Sequence, residues 1–123
     1  MKKFKELGIV KRSLKQDKTP YALWGAECDK GWDKIIVETV TKLDKLPDNE
    51  LYITQIKEKF GELRIYTSSY KEEIEKELDS IIKEAEEKAS RTCESCGAEG
   101  KLRTKGWIQV LCDKCYGINN YGK

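Results

Sequence analysis

An α+β fold, built as a helix, a β-hairpin, a long helix and a C-terminal zinc ribbon, is what three features of this 123-residue sequence predict. Two Cys-x-x-Cys pairs, Cys93/Cys96 and Cys112/Cys115, stand fifteen residues apart. Two stretches repeat apolar residues at the helical period. Between them lie two short runs rich in β-favouring residues, joined by a glycine turn.

Residues 1–18 carry seven Lys/Arg against Glu6 and Asp17, a basic N-terminal arm that serves either as a phosphate contact or as a solvated tail. Thr19-Pro20 marks a break, after which an α+β core is expected over residues 19–92, opening with a short strand from Tyr21 to Cys28. Gly31-Trp32-Asp33 then starts a helix near residues 32–46. Trp32, Ile35, Ile36, Val40, Leu43 and Leu46 recur at helical spacing, Asp33 suits the positive end of the helix dipole, and Pro47-Asp48-Asn49 ends the element.

Leu51 to Phe60 and Leu63 to Ser68 read as two strands joined by Gly61-Glu62, with glycine leading a type II′ turn. That register pairs Phe60 with Leu63 and Lys59 with Arg64. It turns Ile56, Phe60, Leu63 and Ile65 inward and exposes Lys57, Lys59, Arg64 and Tyr66 on the other face. Glu58 then falls on the apolar side. A second helix is expected from about Lys71 to Thr92, with Ile74, Leu78, Ile81, Ile82, Ala85 and Ala89 as its stripe and the Glu/Lys run as its solvated face. It leads directly into Cys93.

The cysteine spacing is what two facing knuckles need to hold one tetrahedral zinc, with Cys93, Cys96, Cys112 and Cys115 as ligands. Gly97 suits the tight turn of the first knuckle, and Tyr116-Gly117 follows the second. Between them Lys101 to Leu111 reads as a short hairpin through Leu102, Trp107, Ile108, Val110 and Leu111, bent at Gly100 and Gly106. Residues 93–123 are therefore expected to form a zinc ribbon packed on the core. Four thiolates close the coordination sphere, so the metal is structural rather than catalytic. Disulfides would suit the spacing in a secreted protein, but the sequence opens on a lysine-rich stretch without an apolar signal region; a redox pair requires only one Cys-x-x-Cys in a thioredoxin-like setting, which is absent. Cys28 is left over and reads as a small buried hydrophobe.

Charged residues make up 37 % of the chain, yet the formal net charge is only +2, so bulk charge does not announce nucleic-acid binding. No apolar run reaches the length of a membrane span, and a cytoplasmic setting is expected. There is no histidine to act as a base, and no phosphate-loop or nucleophile-elbow pattern occurs, which argues against an enzyme. A binding role has more support. Lys57, Lys59, Arg64 and Tyr66 on one hairpin face combine cations with an aromatic ring, which suits phosphates and a stacked base. Trp24, Trp32 and Trp107 read first as core residues and second as ligand platforms. Arg91 and Arg103 flank the ribbon, within reach of an anion or of nearby Glu residues.

Four blocks carry a family resemblance: Cys28-x-x-Gly31-Trp32-Asp33, Lys57-Glu-Lys-Phe-Gly-Glu-Leu-Arg64, Ser90-Arg-Thr-Cys-Glu-Ser-Cys-Gly97 and Gly106-Trp-Ile-x-x-Leu-Cys112. Together they resemble a widespread family of small zinc-knuckle proteins of tailed phages and prophages, over about Glu27 to Cys115. The chain departs from the family pattern in ending its second knuckle Cys112-x-x-Cys115 rather than Cys-x-x-His, and in reading Cys28-Asp-Lys-Gly-Trp32 where Cys-Gly-Asp-Gly-Trp is commoner. The resemblance implies a phage origin, acting in the host cytoplasm. In that setting the chain is similar to anti-defence sponges, which sequester a cyclic dinucleotide immune signal without cleaving it. The implied protein is a homo-oligomer in which Lys59 and Arg64 bind phosphate, Tyr66 with Trp32 or Trp107 stacks a base, and Lys57 and Arg91 add positive charge. A zinc-ribbon DNA- or RNA-binding accessory protein and a protein-interaction module inhibiting a host factor are the alternatives.

Overall fold

The computed structural model describes residues 19–47, 51–68 and 72–118; the basic arm and Asp48-Asn49 lie outside them. The fold is α+β, with two small antiparallel hairpin sheets. Its order is α1 (Pro20–Trp24), a 3₁₀ turn (Lys30–Trp32), α2 (Asp33–Asp44), β1 (Tyr52–Lys59), β2 (Glu62–Ser68), a second 3₁₀ turn (Glu72–Ile74), α3 (Glu75–Ser90), β3 (Lys101–Arg103), β4 (Gln109–Leu111) and α4 (Asp113–Ile118).

The stretch expected as a strand from Tyr21 is helix α1. The Thr19 hydroxyl accepts the Ala22 N–H at 3.1 Å and Pro20 occupies the first turn, so Thr19-Pro20 starts a helix rather than breaking one. Only Glu27 pairs with the sheet, through the Glu27 N–H to the Ile56 carbonyl at 2.8 Å and the Glu58 N–H to the Glu27 carbonyl at 3.2 Å. Helix α2 follows its expected periodicity. Trp32, Ile36, Val40 and Leu43 are fully buried, and Thr39, also buried, satisfies its hydroxyl on the Ile35 carbonyl at 2.7 Å.

The β1–β2 register differs from the expected one by two. Lys59 faces Glu62, Lys57 faces Arg64 and Ile56 faces Ile65, so the turn residues are Phe60 and Gly61. Both have positive φ, 53° and 83°, the requirement of a type I′ turn rather than II′. Because side chains alternate with period two, an even shift keeps every paired residue on its expected face. Ile56, Leu63 and Ile65 therefore point to the core, but Phe60 leaves the ladder for the turn and is exposed. A register irregularity between Ile53 and Gln55 adds one residue, which lets Ile53 join Ile56 on the buried side.

Helices α2 and α3 pack on each other, and α3 lies along β2. Ile74, Leu78, Ala85 and Ala89 of the α3 stripe are buried, with Ile81 and Ile82 half-buried against them. Across the outer faces Lys88 bridges Glu84 at 3.3 Å and Glu38 at 3.7 Å, and Lys42 meets Glu84 at 3.5 Å. These exposed pairs add little to stability.

The ribbon is joined to this core backbone to backbone. The Gly31 N–H donates to the Glu94 carbonyl at 2.7 Å, and the Trp32 indole N–H to the Thr92 carbonyl at 2.9 Å. A Cβ at position 31 would lie 2.2 Å from the Cys93 carbonyl oxygen, so only glycine allows this approach. The buried Glu94 carboxylate reaches back to the Asp29 N–H at 3.0 Å.

Candidate functional site: a four-cysteine centre and a cleft between two hairpin tips

Cys93 and Cys96 sit on the turn that follows α3, and Gly97, with φ 87°, returns its N–H to the Cys93 carbonyl at 2.9 Å. Cys112 ends β4. Helix α4, which the glycine at 117 concealed in the sequence, brings Cys115 back so that its N–H points at the Cys112 sulfur at 3.4 Å. The four sulfurs all lie within 4.8 Å of one another, and Cys96 and Cys112 are 3.7 Å apart across the two knuckles. A tetrahedron with metal–sulfur bonds of about 2.3 Å has edges of about 3.8 Å, so the cluster fits a structural metal ion. Burial raises the Cys93 thiol, but backbone groups of Cys112, Cys96 and Ser95 outweigh it and hold this thiol down at about 7.

Arg103 locks the second knuckle, a role its sequence position did not reveal. Its Nε donates to the Leu111 carbonyl at 3.1 Å, its terminal nitrogen to Asp113 at 2.7 Å, and its guanidinium lies 4.4 Å from the Tyr116 ring centre. Hydrogen bonding from Arg103 holds the Asp113 carboxyl below the usual range. Arg103 does pair with an acidic side chain, but that of Asp113 rather than one of the nearby Glu residues.

The polar face of the β1–β2 hairpin does carry the expected residues, though not free of acid. Lys57 stands 5.9 Å from the Tyr66 ring centre, and Lys59 and Tyr66 are exposed. Glu62 lies in the same row and forms an ion pair with one terminal nitrogen of Arg64, whose Nε is buried with no hydrogen-bond partner among the described residues. Trp32 is fully buried and its indole N–H is already bound, so it is a core residue with no face to offer a base. Trp24 and Trp107, first read as core, are 62 % and 65 % exposed. Arg91 lies apart, at the rim of a polar hollow beside Lys34 and Lys88 near the first knuckle.

A different constellation emerges where the two hairpins meet. The tip of β1–β2 rests on the ribbon hairpin: a Cβ at Gly61 would come within 2.5 Å of a Leu102 methyl. Beside that contact a cleft of 360 Å³ opens between Glu58, Lys59 and Phe60 of one hairpin and Gly106, Trp107 and Ile108 of the other. Phe60 is 69 % exposed, and it holds its left-handed backbone where asparagine or glycine is preferred. Such strain at an exposed aromatic points to a function. Sequence reasoning missed Phe60 because a two-residue register difference had placed it in the core.

Cys28 offers no nucleophile. Desolvation, then the carboxylates of Glu94, Asp33, Asp29 and Glu58, push its thiol up to about 12. No described helix is long and apolar enough to cross a membrane. No family model matches the chain, and no curated protein or solved structure matches it either.

Proposed function

We propose that this is a zinc-stapled, non-catalytic nucleotide-binding protein of phage origin, which sequesters a cyclic dinucleotide signal of its host between two copies of the chain. The reading is carried by one observation: two exposed aromatic rings, Phe60 and Trp107, flank a 360 Å³ cleft that also contains Lys59. Flat aromatic walls suit a base, and an adjacent ammonium suits its phosphate. The volume lies near the low end of the range of about 300–1,000 Å³ typical of small-molecule sites. It suits one nucleotide unit, so a cyclic dinucleotide calls for a second cleft from a symmetry-related copy. Zinc is the metal chosen for the four-thiolate centre, since that donor set and a closed tetrahedron are its usual structural site.

Calorimetry with a panel of cyclic dinucleotides, beside single-stranded and duplex DNA, tests the reading. The expected result is binding of a cyclic dinucleotide at one ligand per two chains, little weakened by moderate salt, with the ligand recovered intact after heat denaturation. Binding of DNA alone, falling steeply with salt, makes the protein a nucleic-acid accessory factor instead. Elemental analysis giving one zinc per chain checks the metal.

A further inference from the structure

We propose that the cleft between the hairpin tips reads guanine, and that Glu58 is the residue that determines this specificity. The inference rests on the nucleotide-binding reading and names the base. Glu58 sits on the face of β1 that elsewhere carries the core, directly opposite the buried Leu63, where alternation calls for an apolar side chain. One carboxylate oxygen, Oε2, accepts the Gly61 N–H at 2.7 Å, which fixes the group against the turn. The other oxygen has no hydrogen-bond partner among the described residues, and no cation there pairs with the carboxylate. Glu58 nevertheless lines the cleft beside Phe60 and Trp107. A held carboxylate with a free oxygen next to two aromatic walls is an acceptor awaiting a donor.

The donor follows from base chemistry. On its pairing edge guanine presents two N–H groups side by side, the ring N1–H and the exocyclic amine. Adenine and cytosine set an amine beside a ring acceptor, and uracil sets one N–H between two carbonyls. Only guanine meets a carboxylate with adjacent donors and no facing lone pair. The charge layout fixes the ligand's orientation as well. Glu58 lies near the buried carboxylate of Glu94, so this end of the cleft repels phosphate, while the exposed Lys59 beside it in sequence attracts it. A base edge turned to Glu58 and a phosphate turned to Lys59 is the arrangement both charges favour.

Fluorescence titration of the zinc-loaded protein with GMP, IMP and AMP tests the inference, with cyclic di-GMP and cyclic di-AMP titrated alongside. IMP keeps N1–H and lacks the amine. The expected order is GMP, then IMP, then AMP, with GMP at least about tenfold tighter than AMP, and the same preference between the two cyclic dinucleotides. Glu58→Gln keeps an acceptor for the Gly61 N–H and so preserves the turn, but sets an amide where the free carboxylate oxygen stood; it should erase most of the guanine preference. Phe60→Ala should weaken all bases alike. Nucleotides binding without base preference, or a preference that survives Glu58→Gln, overturns the role of Glu58 while leaving nucleotide binding in place. Absence of binding by every nucleotide overturns both.

Discussion

Phe60 carries a backbone conformation that costs an ordinary L-residue about 1–2 kcal/mol, and in return sets its ring in the open. Phe60→Asn would give the turn the Asn-Gly pair that type I′ geometry prefers. We expect that variant to be more stable by about 1 kcal/mol in urea denaturation and to bind its ligand more weakly; a less stable variant would mean that the ring is held by packing instead. Cys28 makes a pH prediction. Its thiol is raised from 9.0 in the unfolded chain to about 12 in the fold, so between these values the unfolded state loses a proton that the folded state keeps. The contribution of Cys28 to stability is therefore present below pH 9 and declines as pH rises toward 12. At pH 8 the native thiol should react with iodoacetamide on the order of a thousandfold more slowly than an unperturbed one. Prompt alkylation at that pH would show the site to be open to water.

Among the elements, the β1–β2 hairpin shows why faces are easier to foresee than partners. Placing Lys57, Lys59, Arg64 and Tyr66 on one face requires only the correct parity of the register, which the alternation of Ile56, Leu63 and Ile65 already imposes. Placing Phe60 requires the turn type, and the sequence Lys59-Phe-Gly-Glu62 fits two types. The ribbon depends on Arg103 in the same local way. With its side chain 14 % exposed and bound to Leu111, Asp113 and Tyr116, Arg103 fixes the helix that carries Cys115. Arg103→Ala should cost about 1.5–3 kcal/mol and speed metal loss to a chelator, and Arg103→Lys should recover only part of this, since an ammonium cannot make both hydrogen bonds in one plane. Metal retention equal to the parent in the alanine variant would remove Arg103 from the account.

Over the whole molecule, core and ribbon share hydrogen bonds through Gly31, Trp32 and Asp29, and the cleft has one wall from each. Metal removal should therefore be felt far from the cysteines. A chelator is expected to lower Tm by about 10 °C or more, with the environment of the buried Trp32 and the binding of ligand in the cleft lost together. A metal-free protein that kept the Trp32 signal and bound ligand as before would show the ribbon to be an independent appendage.

What the sequence determined by itself are the features that depend on local spacing. Two Cys-x-x-Cys pairs specify a metal centre because each knuckle is a four-residue structure, and the stripes from Trp32 to Leu43 and from Ile74 to Ala89 specify two helices because periodicity is a property of neighbours. Even the helix at Thr19-Pro20 was written locally, in a cap and a first-turn proline, though aromatic and apolar residues after it also fit a strand. Only the tertiary structure decided which aromatics face solvent. Trp32 is buried because Thr92, 60 residues away, takes its indole N–H, and Trp107 is exposed because its hairpin tip meets that of Phe60 without covering it. Such outcomes depend on where separate elements come to rest against each other, and no window of sequence contains both partners.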